Sequence, residues 1–333
     1  MEKICVIGAG IWGTVMAHRL ASRNADVVIW AHEGETAENI NLKQENTLFA
    51  PKMILHPGLK ATDSFSECEK ADILINAVPV QYMEDVWSRF SVRPGIPVIN
   101  LSKGIENRSM EFPAEILRRV TNHKNPVYAL SGPSFAREVY QELHTAVVLA
   151  GKEGEEARRL QALLSDETLR VYRNEDLTGV EVAGALKNVI AVGAGIIDGI
   201  SSGMNTQAAV ITRGVAETMR LGRKMGAKES TFLGLAGFGD FILTCTHAMS
   251  RNFTFGRILA QTASVEQALE KAGGIVEGYY TLKSAVAMGQ REQVELPIMD
   301  GLFRIIYQRE KISSVISVLM SRDLKSEWGA YSS

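Results

Sequence analysis

The chain has 333 residues, of which 46% are hydrophobic and 22% are charged, and its formal net charge is −2. This length allows two domains with separate cores, and the composition is ordinary for a soluble globular protein. The near-zero net charge argues against bulk binding of nucleic acid or of an acidic membrane surface. Cys5, Cys68 and Cys245 are scattered and odd in number. We therefore expect no disulfide framework, no metal site and a reducing compartment.

Neither the start of the chain nor its longest apolar run suggests targeting to a membrane. Met1 leads directly into the first predicted strand, so we expect no signal peptide. The longest apolar run, 182–197, is short for a membrane span and contains Lys187. These features predict a cytoplasmic protein without an integral membrane segment.

The chain begins with a predicted nucleotide-binding motif. A short β run at 3–7 leads into Gly8, Gly10 and Gly13, and a predicted helix over 14–22 follows. The G-x-G-x-x-G pattern allows a tight turn, close approach of the backbone to a pyrophosphate, and close packing of helix on strand. The helix N-terminus offers N–H groups to the phosphates. Because a second predicted strand follows at 26–30, the pattern favours dinucleotide binding over a chance cluster of glycines.

The end of the second strand bears on the choice between NAD and NADP. An acidic residue there would bind the ribose 2′-hydroxyl, whereas a cation would accept a 2′-phosphate. Ala31 ends the strand, which favours NADP, and His32 could donate a hydrogen bond to a 2′-phosphate. Glu33 would repel that phosphate or bind the ribose itself. An equal alternative is that both side chains face water, so the preference stays open.

Two loops of the first half are predicted to reach the ligands. Five further strands are predicted, at 71–78, 96–101, 127–130, 145–149 and 169–172. Ligands of an open α/β sheet bind at the carboxyl ends of its strands. Lys103 follows one such strand, and is either a substrate or cofactor contact or a solvent-facing lysine. Residues 131–136, SGPSFA, form a turn that either holds substrate oxygens or joins two elements, and Ser134 is expected to cap a helix starting at Phe135.

A lysine lies inside the most apolar predicted helix, over 180–198. Between Glu181 and Asp198 the only charged residue is Lys187. Burial disfavours the charged form of a lysine and lowers its pKa towards neutrality, which would make Lys187 a proton donor or acceptor. The alternative is a lysine that extends its ammonium group along its stem to the surface.

The second half is predicted to be helical throughout. Further helices are expected over 206–225, from Arg251, over 281–288, from Pro297, and over 312–324. The glycine-rich stretch 231–240 is expected to be a helix-breaking turn that leads to Asp240, because no strand precedes it. Glu277 lies in a predicted loop, where it is either a plain loop acid or a ligand to hydroxyl groups.

Residues near position 250 suggest an anion site. Ser250 is a good N-cap for a helix that begins near Arg251. A helix N-terminus beside a guanidinium and the amide of Asn252 would make a compact phosphate site. The alternative is a capped surface helix whose arginine is solvated. A hydride donor, a lysine acid and a phosphate-sized anion site together imply reduction of a ketone on a small phosphorylated substrate.

Eight motifs give the chain a family resemblance. They are GAGIWGT at Gly8, SKGIE at Ser102, SGPSFA at Ser131, EVAGALKNVIAVGAGI at Glu181, LAGFGDFILTCT at Leu235, SRNFTFG at Ser250, IVEGYYT at Ile275 and LKSE at Leu324. In this order and spacing, the chain resembles bacterial NAD(P)-dependent glycerol-3-phosphate dehydrogenases over essentially its whole length. The resemblance implies reversible reduction of dihydroxyacetone phosphate to sn-glycerol 3-phosphate by NAD(P)H, for phospholipid synthesis.

The resemblance also implies an architecture. The fold class is α/β, with an N-terminal Rossmann-type doubly wound sheet over 1–179 that binds the dinucleotide. An all-α C-terminal domain over 180–333, like that of 6-phosphogluconate dehydrogenase, would carry the substrate site and the catalytic lysine. The family often forms homodimers, and no metal is implied.

Individual roles follow from the same resemblance. The general acid/base is Lys187, and Arg251 and Asn252 are expected on the phosphate. The implied substrate contacts are Lys103, Gly132, Ser134, Lys187, Asp240, Ser250, Arg251 and Asn252. The implied cofactor contacts are Gly8, Gly10, Ile11, Trp12, Gly13, His32, Lys103, Ala136, Arg251, Ile275 and Glu277.

Two positions depart from the family pattern, and two other functions remain as alternatives. Ile11 replaces a small polar residue, which leaves only its backbone N–H for the cofactor, and Glu33 stands where the family often has a basic residue. The first alternative is a reductase of the same two-domain design that acts on a 3-hydroxy acid or on ketopantoate, whose substrates carry a carboxylate. The second is a non-catalytic dinucleotide sensor, which gives Lys187 no role.

Overall fold

A computed structural model describes residues 2–23, 25–324 and 326–327. Its N-terminal part is built on an eight-stranded sheet, and within the described residues no strand follows Asn174. This confirms the predicted fold class of a doubly wound α/β sheet followed by a helical part. The strands are β1 (Lys3–Ile7), β2 (Asp26–Trp30), β3 (Glu45–Asn46), β4 (Ala50–Ile54), β5 (Lys60–Thr62), β6 (Ile73–Asn76), β7 (Val98–Asn100), β8 (Val127–Ser131), β9 (Thr145–Ala150) and β10 (Leu169–Asn174).

Helices make up most of the rest of the described chain. In the N-terminal part they are α1 (Ile11–Ser22), α2 (Gly34–Lys43), α3 (Met83–Trp87), α4 (Pro113–Val120), α5 (Ala136–Tyr140) and α6 (Glu155–Leu164). In the C-terminal part they are α7 (Leu177–Gly199), α8 (Met204–Lys224), α9 (Glu229–Phe232), α10 (Asp240–Thr246), α11 (Arg251–Thr262), α12 (Val265–Ala272), α13 (Glu277–Glu292), α14 (Pro297–Tyr307) and α15 (Ile312–Met320). Short turns of 3-10 or π type cover Phe65–Glu67, Val80–Tyr82 and Leu235–Gly239.

The order of the strands places the ligand-binding edge. Across the large sheet the order is β5-β2-β1-β6-β7-β8-β9-β10, and all neighbours are parallel except β8 and β9. The strand β1 therefore lies in the middle of the sheet. The chain first adds β2 and β5 on one side of β1, and then crosses over to add β6 to β10 on the other side. The crevice at this reversal, beyond the carboxyl ends of β1 and β6, is where doubly wound sheets bind ligands.

Both faces of the sheet are covered, as its apolar strands require. Ile4 and Val6 of β1 belong to one hydrophobic core, whereas Cys5 and Ile7 belong to the core on the opposite face. A third core lies in the helical part and includes nearly the whole length of α7. The sheet thus forms a rigid support for the loops at its edge, and α7 supports the helices around it.

The helix α7 extends the predicted apolar helix by a few residues at its start. Asp176 caps it by accepting a hydrogen bond from the N–H of Gly179 at 2.8 Å. A Cβ atom on Gly195 would overlap the carbonyl oxygen of Phe253, and one on Gly256 would overlap that of Val192. These glycines therefore let the backbones of α7 and α11 touch. This contact fixes the start of α11 relative to Lys187.

Several predicted boundaries were wrong. The helix α1 begins at Ile11 and not at residue 14, so the glycine loop is shorter than predicted. The predicted strands 71–78 and 96–101 shorten to β6 and β7. Helix α13 begins at Glu277, which makes this residue helical and not part of a loop. Helix α15 ends at Met320, four residues before the predicted end, and Lys325 of the LKSE motif lies outside the described residues.

The expectation of free cysteines was also wrong. Cys5 and Cys68 form a disulfide bond across a sequence separation of 63 residues, whereas Cys245 is a buried free thiol. Spacing along the chain could not reveal this pair, because β1 and the turn at Phe65–Glu67 meet only in the folded sheet. The cysteines therefore no longer support a reducing compartment.

Among the residues described above, one helix, Leu177–Gly199, has the length and apolar composition of a membrane span, and 94% of its most apolar window is buried inside the protein. The bent pair Glu229–Thr246 and Arg251–Thr262 passes the same test only if it is counted as one span. Among the residues that the structure describes, no three His, Cys, Asp or Glu side chains are grouped so as to hold a metal ion.

Candidate active site

The glycine loop after β1 has the shape that a dinucleotide phosphate needs. Gly8 has a φ of 112°, and a Cβ atom there would lie 2.8 Å from the carbonyl carbon of Ala77. A Cβ atom on Gly13 would overlap the carbonyl oxygen of Gly8, whereas the space beside Gly10 is open. No side chain caps the N-terminus of α1, so its first N–H groups remain directed at that open space. The cradle fits a pyrophosphate.

Three predicted cofactor contacts lie together beside this loop. Ile11 and Trp12 of α1 and Ala136 of α5 pack on the same small apolar cluster, whose core includes Val15. Asn46 of β3 donates hydrogen bonds to the carbonyl oxygen of Ala9 at 2.7 Å and to Thr14 Oγ1 at 2.8 Å, which fastens the β3–β4 hairpin to the loop.

Sequence reasoning missed the hairpin β3–β4. Its strands are short and their alternation is weak, since Lys52 and Pro51 interrupt the apolar pattern. The only available signal was the turn-forming residues between α2 and β5.

The residues after β2 do not settle the choice of dinucleotide. His32 and Glu33 are both exposed, and Glu33 precedes the first residue of α2 without capping it through its side chain. The ring of His32 lies 6.0 Å from that of Trp30. Both side chains are free to meet a ribose or to face solvent.

A buried carboxylate joins two lysines at the boundary between the sheet and the helices. Asp240 accepts hydrogen bonds from Lys187 Nζ at 2.5 Å and from Lys103 Nζ at 2.6 Å. The side chain of Asp240 is 1% exposed. Lys103 comes from the loop after β7, Lys187 from the middle of α7 and Asp240 from the start of α10. Three stretches that are far apart in sequence therefore meet at one carboxylate.

Burial and the neighbouring charges set the protonation states of Lys187 and Asp240. Burial lowers the pKa of Lys187 to about 8, with the charge of Asp240 opposing this shift and that of Lys103 adding to it. Burial alone would raise the pKa of Asp240, but the charges of Lys103 and Lys187 hold it below its ordinary value. Lys187 is therefore mostly protonated at neutral pH and can change its charge near pH 8. This supports the sequence prediction of a depressed lysine pKa.

Thr244 completes the surroundings of the lysine, and sequence reasoning missed it. Its Oγ1 accepts a hydrogen bond from Lys187 Nζ at 2.8 Å. It lies four residues after Asp240 on α10, so both side chains share one helix face. That i, i+4 spacing of two polar residues, Asp240 and Thr244, in the otherwise apolar stretch DFILT was the available signal.

The glycine-rich turn before α10 brings the site's loops together. Gly237 has non-helical dihedral angles inside the turn Leu235–Gly239, which confirms the predicted break. A Cβ on Gly239 would lie 3.6 Å from Pro133, so the turn packs against the loop after β8. In that loop Gly132 has a φ of 138°. Ser134 Oγ donates to the carbonyl oxygen of Gly132 at 3.0 Å and does not cap α5, so that predicted cap was wrong.

The predicted anion site is partly engaged in holding helices together. Ser250 caps α11 by accepting from the N–H of Phe253 at 3.3 Å, as predicted. Asn252 Nδ2 donates to Asn188 Oδ1 at 3.0 Å, and its Oδ1 accepts from the N–H of Gly278 at 2.8 Å. Asn188 is the neighbour of Lys187, so the network ties the start of α11 to the part of α7 that carries this lysine.

Arg251 is exposed at the first residue of α11 and faces the loop before α13. A Cβ on Gly274 would lie 2.5 Å from Arg251 Nη1, so only a glycine lets the guanidinium take this position. Burial raises the pKa of Glu277 to about 7, and the positive charge of Arg251 opposes that shift. Ile275 follows Gly274 in the chain, two residues before Glu277, and is partly buried. The three predicted cofactor contacts of this region are therefore neighbours.

Glu277 also reaches towards the loop that carries Lys103. A Cβ on Gly104 would lie 3.3 Å from Glu277 Oε2 and 3.1 Å from Thr281 Oγ1. Both oxygens are buried without a hydrogen-bond partner inside the protein. Buried polar groups ordinarily have a partner, so these two oxygens are available to a ligand or to water.

This arrangement can perform one kind of chemistry. A dinucleotide cradle lies at the edge of the sheet, a buried lysine with a pKa of about 8 lies in α7 in contact with the loop after β7 through Asp240, and an exposed arginine begins helix α11. A proton donor beside a carbonyl oxygen is what reduction of a ketone requires.

Comparison with known proteins agrees with this chemistry. Residues 3–157 match the model of the NAD-dependent glycerol-3-phosphate dehydrogenase N-terminus, and residues 176–317 match that of the C-terminus of the same family. A glycerol-3-phosphate dehydrogenase [NAD(P)+] of Geobacter sulfurreducens is 42% identical over 338 residues, which cover 98% of this chain and 99% of the relative.

Solved structures give the same result. The crystal structure of glycerol-3-phosphate dehydrogenase from Coxiella burnetii matches with a TM-score of 0.92 and 31% identity, over 96% of this chain and 99% of that one. A ketopantoate reductase of Ralstonia eutropha JMP134 matches with a TM-score of 0.60 and 17% identity, over 92% of this chain and 97% of that one, and this likeness concerns the fold alone.

Proposed function

The chain belongs to the NAD-dependent glycerol-3-phosphate dehydrogenase family, and from that membership we propose which of its residues carry out the reaction. The enzyme is an NAD(P)-dependent oxidoreductase that interconverts dihydroxyacetone phosphate and sn-glycerol 3-phosphate. The single observation that supports the assignment of roles is the buried contact of Lys187 with Asp240 at 2.5 Å, with Lys103 on the other carboxylate oxygen.

Lys187 is the general acid in the direction of reduction. The bound nicotinamide supplies or accepts the hydride. Lys187 Nζ has one N–H directed to Asp240 and one to Thr244, which leaves its third for the carbonyl oxygen of the substrate. As negative charge develops on that oxygen, the ammonium donates its proton. In oxidation the neutral amine removes the proton from the hydroxyl group.

Asp240 and Lys103 position the catalytic lysine. Asp240 keeps Lys187 charged despite burial and holds Nζ in place. Lys103 neutralises the second oxygen of Asp240, and its ammonium is part of the substrate surface. Gly132 and Ser134 bring the loop after β8 to the same place, because Pro133 packs near Gly239.

The substrate phosphate binds at the start of α11. Arg251 provides the charge, the free N–H groups of the first turn provide donors, and the cap by Ser250 orients that turn. Asn252 already bonds to Asn188 and Gly278, so its contribution is to hold the turn in place. Glu277 at the start of α13 and Ile275 in the loop before it meet the cofactor.

The dinucleotide lies on Gly8, Gly10 and Gly13, with Ile11, Trp12 and Ala136 beside it. The cradle at Gly8 supports this placement, because side chains there would clash with Ala77. His32 meets the ribose region, and Glu33 decides between NADH and NADPH. The domain boundary lies between residues 179 and 180, near the cap of α7 by Asp176.

We further propose a homodimer that works in the cytoplasm without spanning a membrane and supplies phospholipid synthesis. The family resemblance supports the dimer and the pathway, and the burial of Leu177–Gly199 supports a chain that does not span a membrane. Since NAD(P)H and triose phosphates are intracellular metabolites, they support the cytoplasm. Sedimentation equilibrium giving the mass of one chain would contradict the dimer.

One experiment separates this function from its nearest rival. The oxidation of NADH and NADPH is followed by absorbance with dihydroxyacetone phosphate, and then with a matched ketone that carries a carboxylate. We expect turnover with the phosphorylated ketone only. A preference for the carboxylated ketone would favour a hydroxy-acid or ketopantoate reductase, and cofactor binding without any turnover would favour a sensor.

A further inference from the structure

Two buried asparagines lie at the carboxyl ends of neighbouring strands, next to the loop that carries Lys103. Asn76 is the last residue of β6, and Asn100 is the last residue of β7. They are 0% and 1% exposed, and Asn76 Nδ2 donates a hydrogen bond to Asn100 Oδ1 at 2.8 Å. A buried amide is costly unless it is hydrogen-bonded, so the partners of this pair indicate its role.

An indole group fixes the direction of the hydrogen bond between the two asparagines. Trp87 Nε1, at the end of α3, donates to Asn76 Oδ1 at 2.8 Å. Because an indole N–H can only donate, Asn76 must present its oxygen to Trp87 and its amide nitrogen to Asn100. Asn100 Oδ1 therefore faces Asn76, and Asn100 Nδ2 is left to donate elsewhere.

Asn100 uses its side-chain amide to hold the backbone of Ser102. Its Nδ2 donates to the carbonyl oxygen of Ser102 at 2.8 Å, and its Oδ1 accepts from the N–H of Ser102 at 3.0 Å. The hydroxyl group of Ser102 donates to the carbonyl oxygen of Val78 at 2.6 Å. Three hydrogen bonds therefore fix the residue that immediately precedes Lys103.

The residue after Lys103 is confined as well. Gly104 has a φ of 120°, and a Cβ atom there would lie 3.0 Å from Val80 Cγ1 and 3.1 Å from Thr281 Oγ1. The side chain of Lys103 is 19% exposed, yet its Nζ reaches Asp240 Oδ2 at 2.6 Å. A partly exposed lysine can also direct its ammonium group into water, so a backbone fixed on both sides favours the contact with Asp240.

We propose that Asn100 is a positioning residue, which keeps the Lys103 ammonium on Asp240. It acts through the backbone of Ser102 and not by contact with the substrate. The inference rests on the proposed role of Lys187 and extends it to the group that holds a neighbouring charge in place.

The position of Lys103 affects the protonation of Lys187. Burial lowers the pKa of Lys187, the charge of Asp240 raises it, and that of Lys103 lowers it further. Cys245, whose thiol contacts the carbonyl oxygen of Lys187, stays neutral because burial raises its pKa to about 12. If Lys103 leaves Asp240, its lowering effect weakens and the pKa of Lys187 rises. The pH above which the rate of reduction falls therefore reports where the Lys103 ammonium lies.

Asn100→Ala tests the proposal through the pH dependence of single-turnover reduction of dihydroxyacetone phosphate. The variant loses both bonds to Ser102, so the pH at which the rate falls should be higher than in the wild type by roughly 0.5–1 unit. Lys103→Met, which removes the charge itself, should shift this pH in the same direction and at least as far. In the double variant, Asn100→Ala should add no further shift, because no charge is left to position.

Asn125→Ala is the matched control. Asn125 is also buried, and its Nδ2 donates to the carbonyl oxygens of Arg93 and Ile96 at 2.8 Å each. It therefore holds the chain before β7, at the end of this strand opposite to Asn100. We expect a lower urea midpoint in both alanine variants, but the pH dependence of the wild type in Asn125→Ala.

Ser102→Ala is a milder variant that leaves both asparagines in place. It removes the hydroxyl bond to Val78 and should shift the pH in the same direction by less. An unshifted pH dependence in folded Asn100→Ala would overturn the proposal, and so would an unshifted one in Ser102→Ala if Asn100→Ala does not fold.

Two further results would also overturn the proposal. An equal shift in Asn125→Ala, or an additional shift in the double variant with Lys103→Met, would show a general loosening of the protein instead of a displaced ammonium group. Failure of the proposed function is distinguishable from these results, because it would appear as a wild-type single-turnover rate in Lys187→Met.

Discussion

At the scale of single residues, the central feature is a lysine whose protonation state changes close to neutral pH. Lys187 combines nearly complete burial with a carboxylate partner at 2.5 Å. Burial lowers its pKa to about 8, while Asp240 keeps that value from falling further. A group with a pKa near the working pH both donates and accepts protons efficiently, as a reversible reaction requires.

This charge state predicts a pH dependence with opposite signs in the two directions. Reduction needs protonated Lys187, so its rate should be constant at neutral pH and fall as pH rises through about 8. Oxidation needs the neutral amine, so its rate should rise over the same interval. Single-turnover rates from pH 6 to 10 measure both. Asp240→Asn removes the charge that raises the pKa of Lys187, so the pH at which both rates change should be lower in this variant. An unchanged pH dependence in Asp240→Asn would contradict the assignment.

Arg251 carries a second prediction. Replacing Arg251 with Ala removes the charge at the proposed phosphate site, so we expect the KM for dihydroxyacetone phosphate to rise roughly 30-fold, or about 2 kcal/mol. Steady-state kinetics at saturating cofactor measure this. Arg257→Ala, six residues later on the same helix, is the control and should leave KM within a factor of two or so. An unchanged KM in Arg251→Ala would remove this residue from the site.

The third prediction concerns Glu33, the exposed acidic residue after β2. If Glu33 faces the ribose, Glu33→Arg exchanges a repelling charge for one that attracts a 2′-phosphate, and preference should shift from NADH towards NADPH. The ratio of the two kcat/KM values measures it. Glu35→Arg, at the second residue of α2, controls for a general change in surface charge. Equal shifts in both variants, or none, would mean that Glu33 faces solvent.

The residue scale also shows what the sequence could reveal. Lys187 could be predicted because a charge in an apolar helix is visible in the sequence itself. Its pairing with Asp240 could not, because 53 residues separate them and no local pattern encodes the contact. The hydrogen bond that the N–H of Ala114 donates to the Glu181 carboxyl group could not be predicted either, because 67 residues separate them.

At the scale of elements, the contact between α7 and α11 controls the site. Gly195 and Gly256 let the two backbones touch, so the start of α11 is held against the helix that carries Lys187. The long apolar pattern predicted α7 well. The role of its glycines in the helix contact could not be predicted. A glycine inside a helix is unfavourable by propensity, and its use becomes clear only when the neighbouring helix is known.

Gly256→Ala tests this contact. A Cβ there would overlap the carbonyl oxygen of Val192, which is backbone and cannot turn aside, so the helices must separate. We expect a loss of about 2–3 kcal/mol in the free energy of unfolding and a lower urea midpoint. In the control Gly193→Ala, the new Cβ meets only side-chain tips, those of Leu302 at 3.3 Å and Val210 at 3.5 Å, and the better helix propensity of alanine offsets these contacts. Equal midpoints for the two variants would contradict the contact.

At the scale of the whole molecule, the sheet order explains why the ligands meet where they do. The doubly wound half could be predicted from strands that alternate with helices and from the glycine motif. The antiparallel step between β8 and β9 could not, because pairing direction depends on the path of the connection and not on strand composition. The disulfide between Cys5 and Cys68 was hidden for the same reason, since its partners meet only through the sheet.

The joint between sheet and helices gives the molecule its chemistry. Lys103 and the loop after β8 come from the sheet, whereas Lys187, Asp240 and Arg251 come from the helices. Neither half holds all of these residues, and the packing of α7 against β8 together with the contact of Lys103 with Asp240 brings them together.

The most direct test of this account is the single-turnover rate of NADH oxidation by dihydroxyacetone phosphate in Lys187→Met, with NADH binding followed by fluorescence. Methionine keeps the apolar packing of the stem and removes the proton. We predict unchanged cofactor binding and a rate about 10²–10⁴ times lower than that of the wild type. A wild-type rate in this variant would show that another group protonates the substrate, and would contradict the role assigned to Lys187.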